Sequence, residues 1–268
     1  MFYNAKNGKV EIDNTTANYI SFGSGNENLI IIPGVGDGLR TVKGLAIPFS
    51  IMYKVFARKY KVYVFSRRND IPDDFSTEDM ANDIIKHMEK LKIEKTSVVG
   101  VSQGGMIAQY IAINAPQKVD KLVLAVTVSR PNETIIDSIE KWIELAEEKD
   151  YKGIMIDSAE RSYTGKYLEK NRKIYKLLGL FGKNANYKRF IIQAKSCLKH
   201  NTYNILYKIK CPTLIIGAKK DKAVGIIGSE EMVNKIEKSK IIIYEEYSHG
   251  VYEQAEDFND KVLEFLES

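Results

Sequence analysis

The sequence predicts an α/β protein with a mostly parallel central sheet, helices on both faces and an inserted helical cap. Three observations predict it. Short apolar runs rich in β-branched residues alternate with helical periodicity from Asn28 to Val126, and again from Cys211 to the C-terminus. Such alternation builds parallel sheets with helical crossovers. Between Ser129 and about Tyr207 the strand patterns lapse and only helical spacing continues. At Gly100-Val101-Ser102-Gln103-Gly104 a strand pattern passes into a helical one through a G-x-S-x-G pentapeptide, the arrangement of a nucleophile elbow.

In chain order, Lys9 to Ser21 reads as two short strands around the turn Asp13-Asn14-Thr15. Asn28–Ile32 is a continuous apolar run, the pattern of a strand covered on both faces. It enters the glycine-rich loop Pro33-Gly34-Val35-Gly36-Asp37-Gly38, and helical sequence follows to about Lys59. Lys61–Phe65 is the next strand. Ser76-Thr77-Glu78-Asp79 opens a helix with a capping-box pattern, and Met80, Ile84, Met88 and Leu91 recur at helical spacing. Thr96–Val99 leads into the elbow. The helix behind it ends at Ala115-Pro116, because the residue before proline disfavours the helical conformation. Val119–Val126 is a strand.

Ile135, Ile139, Trp142, Ile143 and Ala146 then mark one face of the first inserted helix. Cys211–Gly217, Ser229–Lys238, Ile241–Tyr244 and Ala255 to Leu266 read strand, helix, strand, helix. The core is therefore expected over 1–128 and 209–268, with the cap over 129–208. The cap should lie above the carboxyl ends of the strands, where such sheets place their sites.

At 268 residues the chain is long enough for a large α/β domain, and 44% hydrophobic with 28% charged residues is an ordinary globular balance. No apolar run is long enough to span a bilayer. The opening Met1-Phe2-Tyr3-Asn4-Ala5-Lys6 lacks the basic-then-apolar layout of a signal peptide, so a cytoplasmic location is expected. Cys197 and Cys211 offer neither a disulfide framework nor metal-ligand spacing. The net charge of +5 is uneven: Lys152 to Lys210 holds 14 Lys or Arg against Asp157, Glu160 and Glu169, a local excess of +11. This excess reads as solvated helix faces or as a surface that draws anionic substrates. No nucleic-acid-binding motif accompanies it.

A serine hydroxyl at neutral pH needs a base within hydrogen-bond reach, and the base needs an orienting acid. The three histidines make the search short. His87 lies on the helix before the elbow strand, at the edge of its apolar stripe, and reads as a packed helix residue. His200 lies in the cap, as a structural or substrate-contacting residue. His249, in Tyr247-Ser248-His249-Gly250, sits at the carboxyl end of the last strand, where a catalytic histidine belongs. Asp221, in Gly217-Ala218-Lys219-Lys220-Asp221-Lys222, is the carboxylate of the loop after the preceding strand. The order Ser102, Asp221, His249 is the Ser…Asp…His order of one hydrolase fold. The loop at Gly34–Gly38 lacks the lysine and the spacing of a phosphate-binding loop.

From about Leu29 to the C-terminus the chain resembles the α/β-hydrolase superfamily, in particular small bacterial esterases, enol-lactonases and cofactor-free perhydrolases with a helical cap. The resemblance implies Ser102 as nucleophile, Asp221 as acid and His249 as base. It also implies an oxyanion hole from the backbone N–H groups of Val35 and Gln103. Two positions depart from the pattern. Pro33-Gly34 stands where many members have His-Gly, so the internal hydrogen bonding of the loop must differ, and Gly225 stands where many have proline. A serine at the elbow sets the chain apart from dehalogenases and epoxide hydrolases, which use a carboxylate there. Ester, lactone, thioester, C–C bond and peracid chemistry remain open, as does a non-catalytic binding protein on the same scaffold. The expected reaction needs no metal or organic cofactor. The expected partner is a small ester-like molecule, with neither nucleic acid nor membrane. Trp142 and His200 are candidate substrate contacts; most of the cap tyrosines (151, 163, 167, 175, 187, 203 and 207) read as packing the cap helices, with a few left to line a pocket, where basic residues at its mouth would favour an anionic substrate.

Overall fold

The computed structural model describes residues 3–178 and 184–268. Eight strands form one sheet in the order β1-β2-β4-β3-β5-β6-β7-β8. They are β1 (Lys6–Ile12), β2 (Thr15–Phe22), β3 (Glu27–Ile32), β4 (Tyr60–Arg68), β5 (Thr96–Val101), β6 (Val119–Ala125), β7 (Thr213–Ala218) and β8 (Ser239–Tyr244). β1 pairs with β2, and β2 with β4, in antiparallel register. From β4 to β8 every pairing is parallel.

The central strands are apolar throughout because both faces are covered. Leu29, Ile31, Val62, Val64, Val99 and Val101 point to one face, where they meet Phe258, Val262 and Leu266. Ile30, Ile32, Phe65 and Val98 point to the other, where they meet Met80, Ile84, Ile107 and Ile111. Ile30 and Ile32 are fully buried, each worth about 1.5–3 kcal/mol relative to exposure. The helices on these faces are α1 (Ala46–Met52) and α10 (Phe258–Glu267), then α2 (Thr77–Lys90), α3 (Gln103–Asn114) and α8 (Ile227–Val233). The capping box of α2 is formed: the Ser76 hydroxyl accepts from Asp79 N, and the Asp79 carboxylate accepts from Ser76 N.

One expected helix is broken up and another starts late. The segment before Lys59 comprises a 3-10 turn at Val35–Gly38, the short helix α1 and a second 3-10 turn at Phe56–Arg58. The closing helix, α10, begins at Phe258 rather than at Ala255, which is in extended backbone, and a separate short helix, α9 (Val251–Gln254), precedes it. Between β6 and β7 lie α4 (Glu133–Glu147), α5 (Tyr151–Ser162), α6 (Gly165–Leu178) and α7 (Tyr187–Lys199). Their apolar faces make a third core: Ile135, Ile139 and Trp142 pack with Phe190 and Ala194, and against Val35, Leu39 and Met106. That core seats the insertion on the loop after β3 and on the first turn of α3. No helix among the described residues is long and apolar enough to cross a membrane.

Candidate active site

β5 delivers Ser102 at the end of the sheet, as the residue immediately before α3. Its backbone has φ 55° and ψ −123°, a left-handed conformation that costs a non-glycine residue about 1–3 kcal/mol. The surroundings hold it there. Ser102 N donates to Ala125 O at 2.9 Å, and its carbonyl accepts from Thr127 Oγ1 at 2.7 Å. The flanking glycines are required by space: a Cβ on Gly104 would lie 1.9 Å from Ile32 O, and one on Gly100 2.4 Å from Gly104 O.

β7 and β8 are parallel neighbours with Ala218 opposite Tyr244, so the loops that follow them emerge side by side. The first carries Asp221 and the second His249. His249 Nδ1 lies 2.9 Å from Asp221 Oδ2. The other carboxylate oxygen, Oδ1, accepts from Ala223 N at 2.8 Å and Val224 N at 2.9 Å. Both residues are almost fully buried. Ser102 and His249 line one cavity of about 370 Å³, together with Gly34, Val35 and Trp142.

The loop after β3 runs along the same cavity. A Cβ on Gly34 would lie 3.3 Å from Ser102 Cβ, so the approach is close. Val35 opens its 3-10 turn and Gln103 opens α3. N–H groups at first helical positions have no intrahelical acceptor. The Gln103 side chain belongs to the insertion: its Nε2 donates to Gln193 O at 2.7 Å and lies 3.2 Å from Ser196 Oγ.

Sequence reasoning missed the side chains that hold the loop after β3. Arg67, at the end of β4, donates from Nη2 to Pro33 O at 2.6 Å and to Gln103 Oε1 at 2.9 Å. Asp37 Oδ2 accepts from Arg67 N at 3.1 Å and from Arg189 Nη2 at 2.6 Å. Arg189, on α7, also donates to Arg67 O at 2.9 Å and to the Asp37 carbonyl. All three side chains are buried. Burial lowers Arg67 to about 10, against the pull of Asp37, so it stays charged at neutral pH. The loop after β3, the first residue of α3 and helix α7 are thereby tied into one polar cluster beneath the cavity. The adjacent pair Arg67-Arg68 at a strand end was the sole trace of this in the sequence.

The other histidines lie away from the cavity. His87 is buried against Phe65, ring centroids 5.1 Å apart, and burial lowers it to about 4. His200 is buried, with Nδ1 2.9 Å from Thr77 Oγ1 and Nε2 3.4 Å from Thr202 Oγ1. Burial lowers it to about 3. It joins the end of α7 to α2 and does not line the cavity, which fits the structural one of the two readings the sequence offered. Trp142 does line it, with Nε1 donating to Asp157 Oδ2 at 2.7 Å. Cys197 is buried beside Gln103, and burial pushes its thiol up to about 12.

The basic excess of the insertion is not carried inward. Among the described residues that line the cavity none is Lys or Arg; the carboxylates are Asp37 and Glu253, and the one histidine is His249. Lys188 and Lys199, by contrast, keep 76% and 69% of their side chains exposed. Of the seven tyrosines in the insertion, the side chain of Tyr175 lies outside the described residues. The others are absent from the cavity wall, where Tyr53 and Tyr252 stand instead.

This fold and site define an α/β hydrolase. The family model for the alpha/beta hydrolase fold matches residues 27–152, and a model for TAP-like proteins matches 193–268. The chain has the α/β-hydrolase fold and is an α/β-hydrolase enzyme. It is 25% identical over 271 residues to a serine hydrolase, BPHL, of Mus musculus, covering 97% of this chain and 86% of that one. It is also 25% identical over 221 residues to a putative carbamate hydrolase, RutD, of Caulobacter sp. strain K31, covering 78% and 81%. Among solved structures, the enol-lactonase of Burkholderia xenovorans LB400 superposes with a TM-score of 0.79 at 17% identity, over 97% of this chain and 100% of the other.

Proposed function

We propose that the chain hydrolyses small or medium acyl esters through Ser102, His249 and Asp221 with an acyl-enzyme intermediate. The observation that carries this reading is the Asp221–His249 hydrogen bond beside a strained Ser102 on the wall of the same cavity. His249 takes the Ser102 proton as Oγ attacks the carbonyl. Asp221 fixes the imidazole tautomer and stabilises the imidazolium. The N–H groups of Val35 and Gln103 receive the oxyanion. His249 then gives its proton to the leaving alcohol, and the acyl group stays on Ser102. Water, deprotonated by the same histidine, releases the acid.

Residues 129–208 act as the cap that closes the site. A cavity of about 370 Å³ lies at the small end of ligand sites, which favours a short acyl chain over a long one. The likeness to an enol-lactonase and to carbamate hydrolases supports a second reading, in which the same residues open a lactone or carbamate.

A fluorophosphonate probe should label the wild type and leave Ser102→Ala unlabelled. A p-nitrophenyl ester series from acetate to decanoate should show kcat/KM greatest among the short members. Failure of the probe to label the wild type overturns the hydrolase reading.

A further inference from the structure

Glu253 is a charged residue on the cavity wall that the hydrolase chemistry does not use. It lies four residues past His249, on α9, and lines the same cavity as Ser102. Its carboxylate accepts a hydrogen bond from the Tyr163 hydroxyl. Tyr163 is itself held: a Cβ on Gly250 would lie 2.5 Å from its ring, and Gly250 N donates to Ser162 O at 2.6 Å. The end of α5 is thereby latched onto the histidine loop, and Glu253 is fixed by that latch.

Among the described residues Glu253 has no Lys or Arg partner, and no Lys or Arg lines the cavity. Asp37, the other carboxylate of the wall, is already held by Arg67 and Arg189. Surrounding protein pushes the Glu253 carboxyl up, against hydrogen bonds from Tyr163 and Tyr252 and the nearby His249. The residue keeps an exposed face, so that push is moderated by solvent. A neutral apolar group seated here would strip water from a carboxylate and give nothing back, and an anion would be repelled. An ammonium group would pair with the carboxylate. Four aromatic side chains, Phe49, Tyr53, Tyr252 and Trp142, line the same wall, and aromatic rings attract a cation placed over them.

We propose that Glu253, braced by Tyr163, is a cation-recognition site, and that the ester this enzyme hydrolyses carries an ammonium group on its alcohol or acyl side. The substrate half of this statement rests on the hydrolase reading; the binding half does not.

The chain's single tryptophan, Trp142, lines the cavity, so its fluorescence reports occupancy without catalysis. The intact protein is titrated with choline, with its neutral isostere 3,3-dimethylbutanol and with the anion 3,3-dimethylbutyrate. Choline should bind about tenfold or more tightly than the alcohol, and the anion most weakly. Glu253→Gln should bring choline and the alcohol to within about twofold, while Glu253→Asp, which keeps the charge, should retain part of the preference. In turnover, kcat/KM for acetylthiocholine should exceed that for 3,3-dimethylbutyl thioacetate by a similar factor, and the ratio should collapse in Glu253→Gln.

Equal binding, preference for the anion, or a ratio unchanged in Glu253→Gln overturns the proposal. A Glu253→Gln variant that shifts only the pH profile of turnover also overturns it, by making Glu253 an auxiliary partner of His249. If choline binds in a Glu253-dependent way but neither thioester is cleaved and the fluorophosphonate fails, the hydrolase reading falls and the cation site stands.

Discussion

His249 and Asp221 are 28 residues apart in the chain and 2.9 Å apart in space. The parallel pairing of β7 with β8 makes this so: consecutive parallel strands place their carboxyl-end loops next to each other. Asp221 has no freedom to leave. Its second oxygen is held by two backbone N–H groups. Asp221→Asn keeps the shape but presents an amide where a carboxylate accepts, which favours the wrong imidazole tautomer. Turnover of a short p-nitrophenyl ester should fall by about 10³ or more with the fold intact by circular dichroism. Near-normal activity would move the orienting role to another acid.

Ser102→Ala and His249→Ala should each lower kcat by at least about 10³, and within roughly tenfold of each other, because the two act as a unit. Stability separates the elbow's strain from its chemistry. Ser102 holds φ 55°, which glycine adopts without penalty. Ser102→Gly should therefore be inactive yet about 1 kcal/mol more stable than Ser102→Ala in urea unfolding, net of glycine's extra chain entropy. Equal midpoints would mean that the turn stores no strain.

The buried cluster of Asp37, Arg67 and Arg189 should couple stability to rate. Asp37→Asn leaves two buried guanidinium groups without their carboxylate, and breaking such a pair costs about 3–5 kcal/mol. The same change loosens the loop that carries Val35. Losing one oxyanion donor costs about 10²–10³ in kcat, so a displaced donor should cost tenfold or more, with a smaller change in KM. Measured stability and kcat both within error of wild type would remove the cluster from the catalytic support.

The parts legible in the sequence are those with local or ordered signals. Ile30 to Ile32 announce a strand covered on both faces, and Gly100 to Gly104 announce the turn. Asp221 and His249 follow from the order of loops along one sheet edge. Arg189 meets Asp37 across 152 residues, and Tyr163 meets Glu253 across 90. Such pairs leave no periodic trace, because a buried arginine and a solvated one look alike in a basic segment. For the same reason the +11 of the insertion left solvated helix faces and an anionic substrate both open; the described cavity wall carries no lysine or arginine. The broken segment before Lys59 was illegible because apolar spacing persists through the interruptions, and the late start of α10 because Ala255 fits its apolar spacing.

His87 carries the last prediction. Neither of its ring nitrogens has a hydrogen-bond partner among the described residues. Burial first, and then the nearby Arg68, hold it at about 4 in the folded chain, against an unfolded value of about 6.5. The sign follows directly. The unfolded chain takes up the proton first as pH falls, so this histidine's contribution is intact above about pH 6.5 and is lost between there and about pH 4, at up to about 1.4 kcal/mol per pH unit. His200, lowered to about 3, adds a loss of the same sign but keeps partners in Thr77 and Thr202. Replacing His87 by leucine removes both the titration and two unpaired buried nitrogens, a change that is neutral or stabilising when the shape fits. His87→Leu should therefore match or exceed the wild-type urea midpoint at pH 7, and its advantage should widen at pH 5. His200→Leu should be destabilising at pH 7, because it strands the buried Thr77 hydroxyl. A His87→Leu variant that loses stability as steeply as wild type between pH 7 and pH 5 would show that His87 is not the group that titrates there.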